Sequence, residues 1–507
     1  MLLRLSQSNN QPKRLLLDIP QEAHIVGIND VRLLEELIQK CTQRNQPTHI
    51  YCCDPNPEPV LLPVPFLQGT YSLSITGIPV TLSLGRPLHA HPSITWLTEE
   101  PPQKQQEPLP YYSFPQHRIP KQIDVIGAGI SGLASAYVLA QKGLRVRIFD
   151  RHNIPCHEAS GNPHALVYAN LSPFDQIQPR FYLSSLFTGI HALSSFSQKD
   201  VFHSCGILCS NKHLEHWANI LNDKERQIQQ RTEGLWIPKA GVVHPKSLAQ
   251  AILHHPNITW FPNHDIEHIS TEKDHPVFFI NGTKWESEHI VICTAHHLSS
   301  LSVCDTLSVR KSSGQISYTN TEIYSNSFAY SDHAYLTPFW KGNQCFGATY
   351  HLHKLQTEVC DEDHQDNINR LNFSHPSINI SSESLLGRCS IRAQTNNFLP
   401  IVGPIPDKEW YITKYAKLKD GLLRSSRYPP AKYIPNISVH VGHGSKGFSQ
   451  AWLCAEILAA QLTNTPLPVD TDVYQSLHPA RFLVRALHKN KNNIYTIIIK
   501  IFYIIII

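Results

Sequence analysis

From residue 121 to about 490, apolar positions come in short runs that switch between strand and helix period, with turn residues between them. Gln122-Ile-Asp-Val-Ile126 is an apolar run of strand type. Next, Leu133, Ala136, Tyr137 and Ala140 recur on one helical face, and Gly143 supplies a C-cap. Arg145-Val-Arg-Ile-Phe149 then reads as a second strand. The pattern predicts a β-α-β unit opening a long α/β body. Upstream the periods are weaker. Ala23–Ile28 and Thr48–Cys53 read as strands, Val31–Cys41 as a helix and Thr70–Leu84 as a hairpin, which makes residues 1–100 a small α/β segment. Residues 101–120 are rich in Pro and Gln, which prevents helix and ladder formation, so a linker and a domain boundary belong there. The tail Ile494–Ile507 is nearly all apolar but shorter than the roughly 20 residues a membrane span needs, so no stable membrane association is expected.

Composition narrows the classes. Of 507 residues, 41% are hydrophobic and 17% charged, which excludes a disordered, collagen-like or coiled-coil chain. A net charge of +4 neither demands nor excludes a nucleic-acid partner. Any basic patch must be local, and two clusters qualify: Arg424, Arg427 and Lys432, and Arg481, Arg485, Lys489 and Lys491. The 12 cysteines include no CxxC pair, and polar residues from Arg4 to Arg14 interrupt any secretory signal. A reduced, cytoplasmic protein is expected. The 30 histidines show no metal-ligand spacing, so no metal site is expected.

The first unit carries sharper chemistry. Gly127-Ala128-Gly129-Ile130-Ser131-Gly132 is a G-x-G-x-x-G turn between strand and helix, and the second strand ends in Asp150. Gly127 permits the tight turn, Gly129 lets backbone approach a pyrophosphate, and Gly132 lets helix pack on strand. The helix N-terminus then favours phosphate, and Asp150 can bond a ribose hydroxyl. The fingerprint itself does not separate NAD from FAD. A second glycine turn, Gly442-His-Gly444-Ser445-Lys446-Gly447, opens the apolar helix Ala451–Leu462 and suits the electron-rich end of a reduced flavin. Two such turns at opposite ends of one body suggest FAD between them; alone, the second reads equally as an ordinary loop.

Several further stretches occur in order: Ala159-Ser160-Gly161-Asn162, Gly234–Pro238, Gly314–Ser317, Tyr335–Pro338, Gly347–His351, Arg388–Arg392, Leu399–Gly403 and Leu477–Phe482. In these, residues 121–490 resemble the FAD-dependent oxidoreductase half of the bifunctional tRNA 5-methylaminomethyl-2-thiouridine biosynthesis family, within the glycine oxidase/D-amino-acid oxidase superfamily. The resemblance implies an α/β fold: a doubly wound, Rossmann-like FAD domain with an inserted mixed-sheet substrate domain. It assigns 121–190, 235–300 and 385–490 to FAD, and 190–235 and 300–385 to substrate. It implies oxidative removal of the carboxymethyl group from 5-carboxymethylaminomethyl-2-thiouridine in a tRNA anticodon loop, releasing glyoxylate. The family's methyltransferase half is truncated or absent, residues 1–100 reading as a degenerate remnant, so methylation would fall to a separate methyltransferase.

The resemblance also assigns roles. Arg392 matches the superfamily's carboxylate-holding arginine. Tyr335 and Tyr350 line the substrate face, unless they serve the core. Ser160, Gly161 and Asn162 join the cofactor set, and Lys446 stands where the family has Arg. His296 and His351 read as structural. Ala295 replaces a glycine, Asn397 an acid, and His164-Ala165-Leu166 a Gln-Gly-Ala, so added Cβ atoms predict strain near the cofactor. Two rival readings stay open: a glycine- or sarcosine-type oxidase, and a non-catalytic remnant that binds FAD or RNA.

Overall fold

The computed structural model describes residues 109–488, apart from 115–117, 171–175, 197–199, 211–227, 353, 421–427 and 466, together with four strands before residue 85. Those early strands form one sheet. Ala23–Ile25 and Thr48–Cys52 run parallel, and Gly69–Ile75 with Ile78–Leu84 makes the anticipated hairpin. The helix anticipated at Val31–Cys41, the tail from Ile494 and most of the 101–120 linker lie outside the described residues. The linker's end is described and is docked. Pro110–Tyr112 forms a 3-10 turn with Tyr111 and Tyr112 buried. The Tyr411 and Tyr433 hydroxyls donate to the carbonyls of Tyr111 and Ser113, each at 2.6 Å.

The body is built on a six-stranded sheet, in the order Ile258–Phe261, Arg145–Phe149, Gln122–Ile126, Ile290–Ile292, Tyr433–Val441, Ile401–Pro406. The first five are parallel, and the last is antiparallel at the edge. Both faces are covered, and the central strand Ile290–Ile292 is apolar and buried throughout. Helices Ile130–Gln141 and Gly447–Leu462 lie side by side on one face, and Ile177–Ser194 packs against the second of them. Leu133, Leu186, Trp452 and Leu458 fill that layer. The opposite face carries a three-stranded meander, residues 268–286, through Ile269, Phe278 and Ile280.

An eight-stranded mixed sheet forms the second layer system, with helix Asp361–Ser374 packed on it. Leu386–Gln394 pairs antiparallel with Arg310–Thr319 along nine residues, and Gly234–Ile237 pairs with Ile207–Cys209. Residues 236–237 and 386–394 therefore pair into this sheet, whereas the sequence assigns 235–300 and 385–490 to the FAD part. Alternation within a strand does not disclose which distant strand it will join, and Arg310–Thr319 lies far upstream.

Candidate active site

The strands Gln122–Ile126, Ile290–Ile292 and Tyr433–Val441 are mutually parallel neighbours, so the loops that follow them leave the sheet at one carboxyl edge. That edge is where open α/β sheets hold ligands. A cavity lies there in two adjoining compartments of about 390 and 320 Å³, with Ala159, Ser160 and Ala295 bordering both.

Backbone shapes the first compartment. Gly127 has φ +105°, and a Cβ there would lie 2.6 Å from the Cys293 carbonyl oxygen. A Cβ on Gly132 would lie 1.8 Å from the Gly127 carbonyl oxygen, so the helix starts hard against the strand. Ser160 Oγ accepts from the Ile130 N–H at 3.0 Å, whereas the Gly129 N–H has no partner among the described residues. Asp150 closes the turn, accepting from the Ala128 N–H at 2.7 Å and the His152 N–H at 2.9 Å. Ala295 takes φ +47°, the left-handed region that a glycine fits without strain.

Side chains shape the second compartment. Arg392 projects from the strand Leu386–Gln394, and its Nη1 donates to the Thr349 carbonyl at 3.2 Å. It has no carboxylate partner among the described residues. Burial lowers its pKa, while the phenols of Tyr335, Tyr168 and Tyr350 surround its charge. Burial also holds the Tyr335 phenol well above its usual pKa, so it stays protonated and can donate. Tyr350 follows the strand Gln344–Gly347 and accepts from Gln394 Nε2. Arg388, four residues before Arg392, acts differently: it donates to the His157 and Glu158 carbonyls and braces the loop that carries Ser160.

The anticipated cofactor residues divide by position. Gly127, Gly129, Asp150 and Ser160 border the first compartment. Ile130, Ser131, Asn162, Gly444, Ser445 and Gly447 border the second. Ala128, Gly132 and Gly161 stand behind the wall, and Lys446 turns away, its Nζ 3.4 Å from the centre of the Tyr168 ring. His164 is buried and bonded to Thr337 Oγ1 and the Trp340 carbonyl, each at 3.0 Å, and burial pushes its pKa down to about 4. His351 pairs with Asp363 at 2.8 Å. Glu158, Tyr168 and His443 also border the cavity and escaped notice, though Glu158 and His443 sit beside or inside quoted motifs.

The basic clusters need correction. Arg481 is only 2% exposed and donates to the Leu477 and Leu399 carbonyls, each at 2.8 Å, so it is a structural staple and not an RNA contact. Lys432 pairs with Asp407 at 3.1 Å. Arg485 is exposed, while Arg424, Arg427, Lys489 and Lys491 lie outside the described residues. Among the described residues no helix is long and apolar enough to cross a membrane.

Residues 122–461 match the family of FAD-dependent oxidoreductases named DAO. The chain belongs to this flavoenzyme family. It is 28% identical over 406 residues to a tRNA 5-methylaminomethyl-2-thiouridine biosynthesis bifunctional protein of Marinomonas sp., a match covering 72% of this chain and 60% of that one. The homonymous protein of Saccharophagus degradans is 29% identical over 413 residues, covering 74% and 57%. The chain thus spans about three-fifths of the length of these curated relatives. Its fold is that of glycine oxidase from Geobacillus kaustophilus (TM-score 0.53, 16% identity, 68% of this chain and 95% of that one). Iminodiacetate oxidase from Chelativorans is equally similar (TM-score 0.52, 16% identity, 70% and 99%). The first compartment fits the family's cofactor: Gly129, whose N–H has no partner among the described residues, borders it at the start of the helix, and a Cβ there would lie 3.3 Å from Ser160 Oγ on the same wall.

Proposed function

We propose that this flavoenzyme removes the carboxymethyl group from 5-carboxymethylaminomethyl-2-thiouridine at the tRNA wobble position, giving the aminomethyl base and glyoxylate. The observation that carries the reading is Arg392, a half-buried guanidinium with no carboxylate of its own among the described residues, set among tyrosines beside both glycine turns. A cation partly removed from water and lacking a carboxylate partner favours an anionic ligand. The curated relatives that share this segment are named for the tRNA pathway, and their names supply the base.

On this reading FAD spans the two compartments. Gly127, Gly129, Ser160 and Asp150 hold its dinucleotide part, and the Gly442–Gly447 turn faces its reactive end. When bound, FAD supplies the two-electron acceptor for oxidation of the C–H bond beside the substrate carboxylate. Arg392 grips that carboxylate through its planar fork. Tyr335, kept protonated by burial, donates to the same glycine-like arm, and Tyr350, held by Gln394, limits its swing. These contacts act by positioning, so no strong base is required. Water then splits the oxidised arm into amine and glyoxylate. A tRNA substrate fits a cytoplasmic setting for the protein.

The test is anaerobic mixing with tRNA bearing the carboxymethylaminomethyl group while oxidised-flavin absorbance is followed. Bleaching by that tRNA and not by free glycine supports the reading. Bleaching by glycine or sarcosine alone makes the protein a small amino-acid oxidase, since Arg392 would grip their carboxylates equally well. A purified protein without flavin overturns both.

A further inference from the structure

Glu158 sits one residue before the Ala159–Asn162 loop and collects imidazoles from two distant segments. Its Oε1 lies 3.2 Å from His152 Nε2 and 3.1 Å from His297 Nε2, and its Oε2 lies 3.5 Å from His296 Nδ1. Glu158, His296 and His297 each offer one ligand atom, and these atoms fall within 4.8 Å of one another. His296 is only 8% exposed, yet its Nδ1 has no hydrogen-bond partner and is aimed at the carboxylate. An unpaired ring nitrogen buried against a carboxylate is costly in a structural role and apt in a ligand.

We infer that Glu158, His296 and His297 form a binding site for one divalent transition-metal ion of the zinc type, in the wall of the first compartment. Two imidazoles and a carboxylate are a borderline donor set that suits such an ion better than magnesium or calcium. His297 Nε2 faces Glu158 Oε1 at 3.1 Å and His296 Nδ1 faces Glu158 Oε2 at 3.5 Å, so both imidazoles converge on the two oxygens of one carboxylate, at spacings near the roughly 3.3 Å between ligand atoms of a tetrahedral site. The fourth position opens toward the compartment that Glu158 and His297 line, where water or a phosphate oxygen can complete the sphere. The ion would tie the loop carrying Ser160 to the turn after Ile290–Ile292.

His440, His443 and Cys454 make a rival cluster, but it is already satisfied internally. The two rings bond each other at 2.9 Å, and Ser135 and Gln450 take their other nitrogens at 2.7 and 3.3 Å.

The experiment is titration of the full, flavin-loaded chain with Zn²⁺ and, for its colour, Co²⁺. One equivalent should bind, with tetrahedral cobalt absorption and no sulfur-to-cobalt charge-transfer band. Glu158→Gln and His297→Asn should each weaken binding about a hundredfold, with folding checked by flavin absorbance. No stoichiometric binding, or unchanged affinity in both variants, overturns the site. A sulfur band also overturns it, because it places the ion on a cysteine and not on Glu158, His296 and His297; this readout needs no variant. Metal binding is read on the protein itself, whatever substrate is oxidised.

Discussion

The two compartments of the cavity are built from different material. The first is shaped around main chain, a glycine turn, a helix start and strand ends, with Asp150 closing the turn and Glu158 and His297 in the wall. The second sets Arg392 and Tyr335 from the eight-stranded sheet, and Tyr350 just beyond its strand, beside the second glycine turn. Main chain recognises what every cofactor molecule shares, while side chains recognise what distinguishes one substrate from another. Damage to the first glycine turn should therefore cost flavin, and damage to Arg392 should cost turnover while flavin stays bound.

The sharpest break is at Arg392. Arg392→Met should lower kcat/KM for the modified tRNA by about a thousandfold, as loss of a buried charge partner does, with flavin content unchanged. The paired variant Arg388→Met should do the reverse, since Arg388 holds loop carbonyls: thermal stability falls and turnover per bound flavin persists. Next is Gly127→Ala, where a positive φ and the Cys293 carbonyl combine to cost roughly 3 kcal/mol. The protein should purify colourless, and absorbance after gel filtration decides it.

A smaller effect is read with pH. His164 titrates near 4 in the folded protein against an ordinary 6.5. Between those values the unfolded chain takes up a proton that the folded ring refuses, so stability falls as pH drops from about 6.5 to about 4. The loss at pH 5 is about 2 kcal/mol from this group. Denaturant midpoints of His164→Gln should slope less steeply over that window. Smallest is Ala295→Gly, which relieves left-handed strain while loosening the unfolded chain. The net gain should stay below about 1 kcal/mol, and slower flavin release on dilution is the measurement.

The first compartment was the more legible in sequence, for a physical reason. Its strand, turn, helix and Asp150 are consecutive, so local periods and glycines display them together. Arg392 was reached only through the company of its motif, because nothing in its own neighbours says that Thr349 and Tyr335 will surround it. Glu158 and His297 are 139 residues apart, and no spacing rule joins them. Arg481 was misread as surface charge because the sequence shows a cation but not the carbonyls that enclose it. That Leu386–Gln394 pairs with Arg310–Thr319 is a long-range event that no local pattern discloses.

The docked turn at Pro110–Tyr112 bears on where an autonomous folding unit begins. A fragment cut at residue 121 would retain every glycine of the fingerprint. It would also strip the acceptors from the Tyr411 and Tyr433 hydroxyls and uncover Tyr415 and Tyr474, which are buried in the intact chain. The smallest stable piece of this enzyme therefore starts in what the composition presents as a spacer, about a dozen residues before its first recognisable motif.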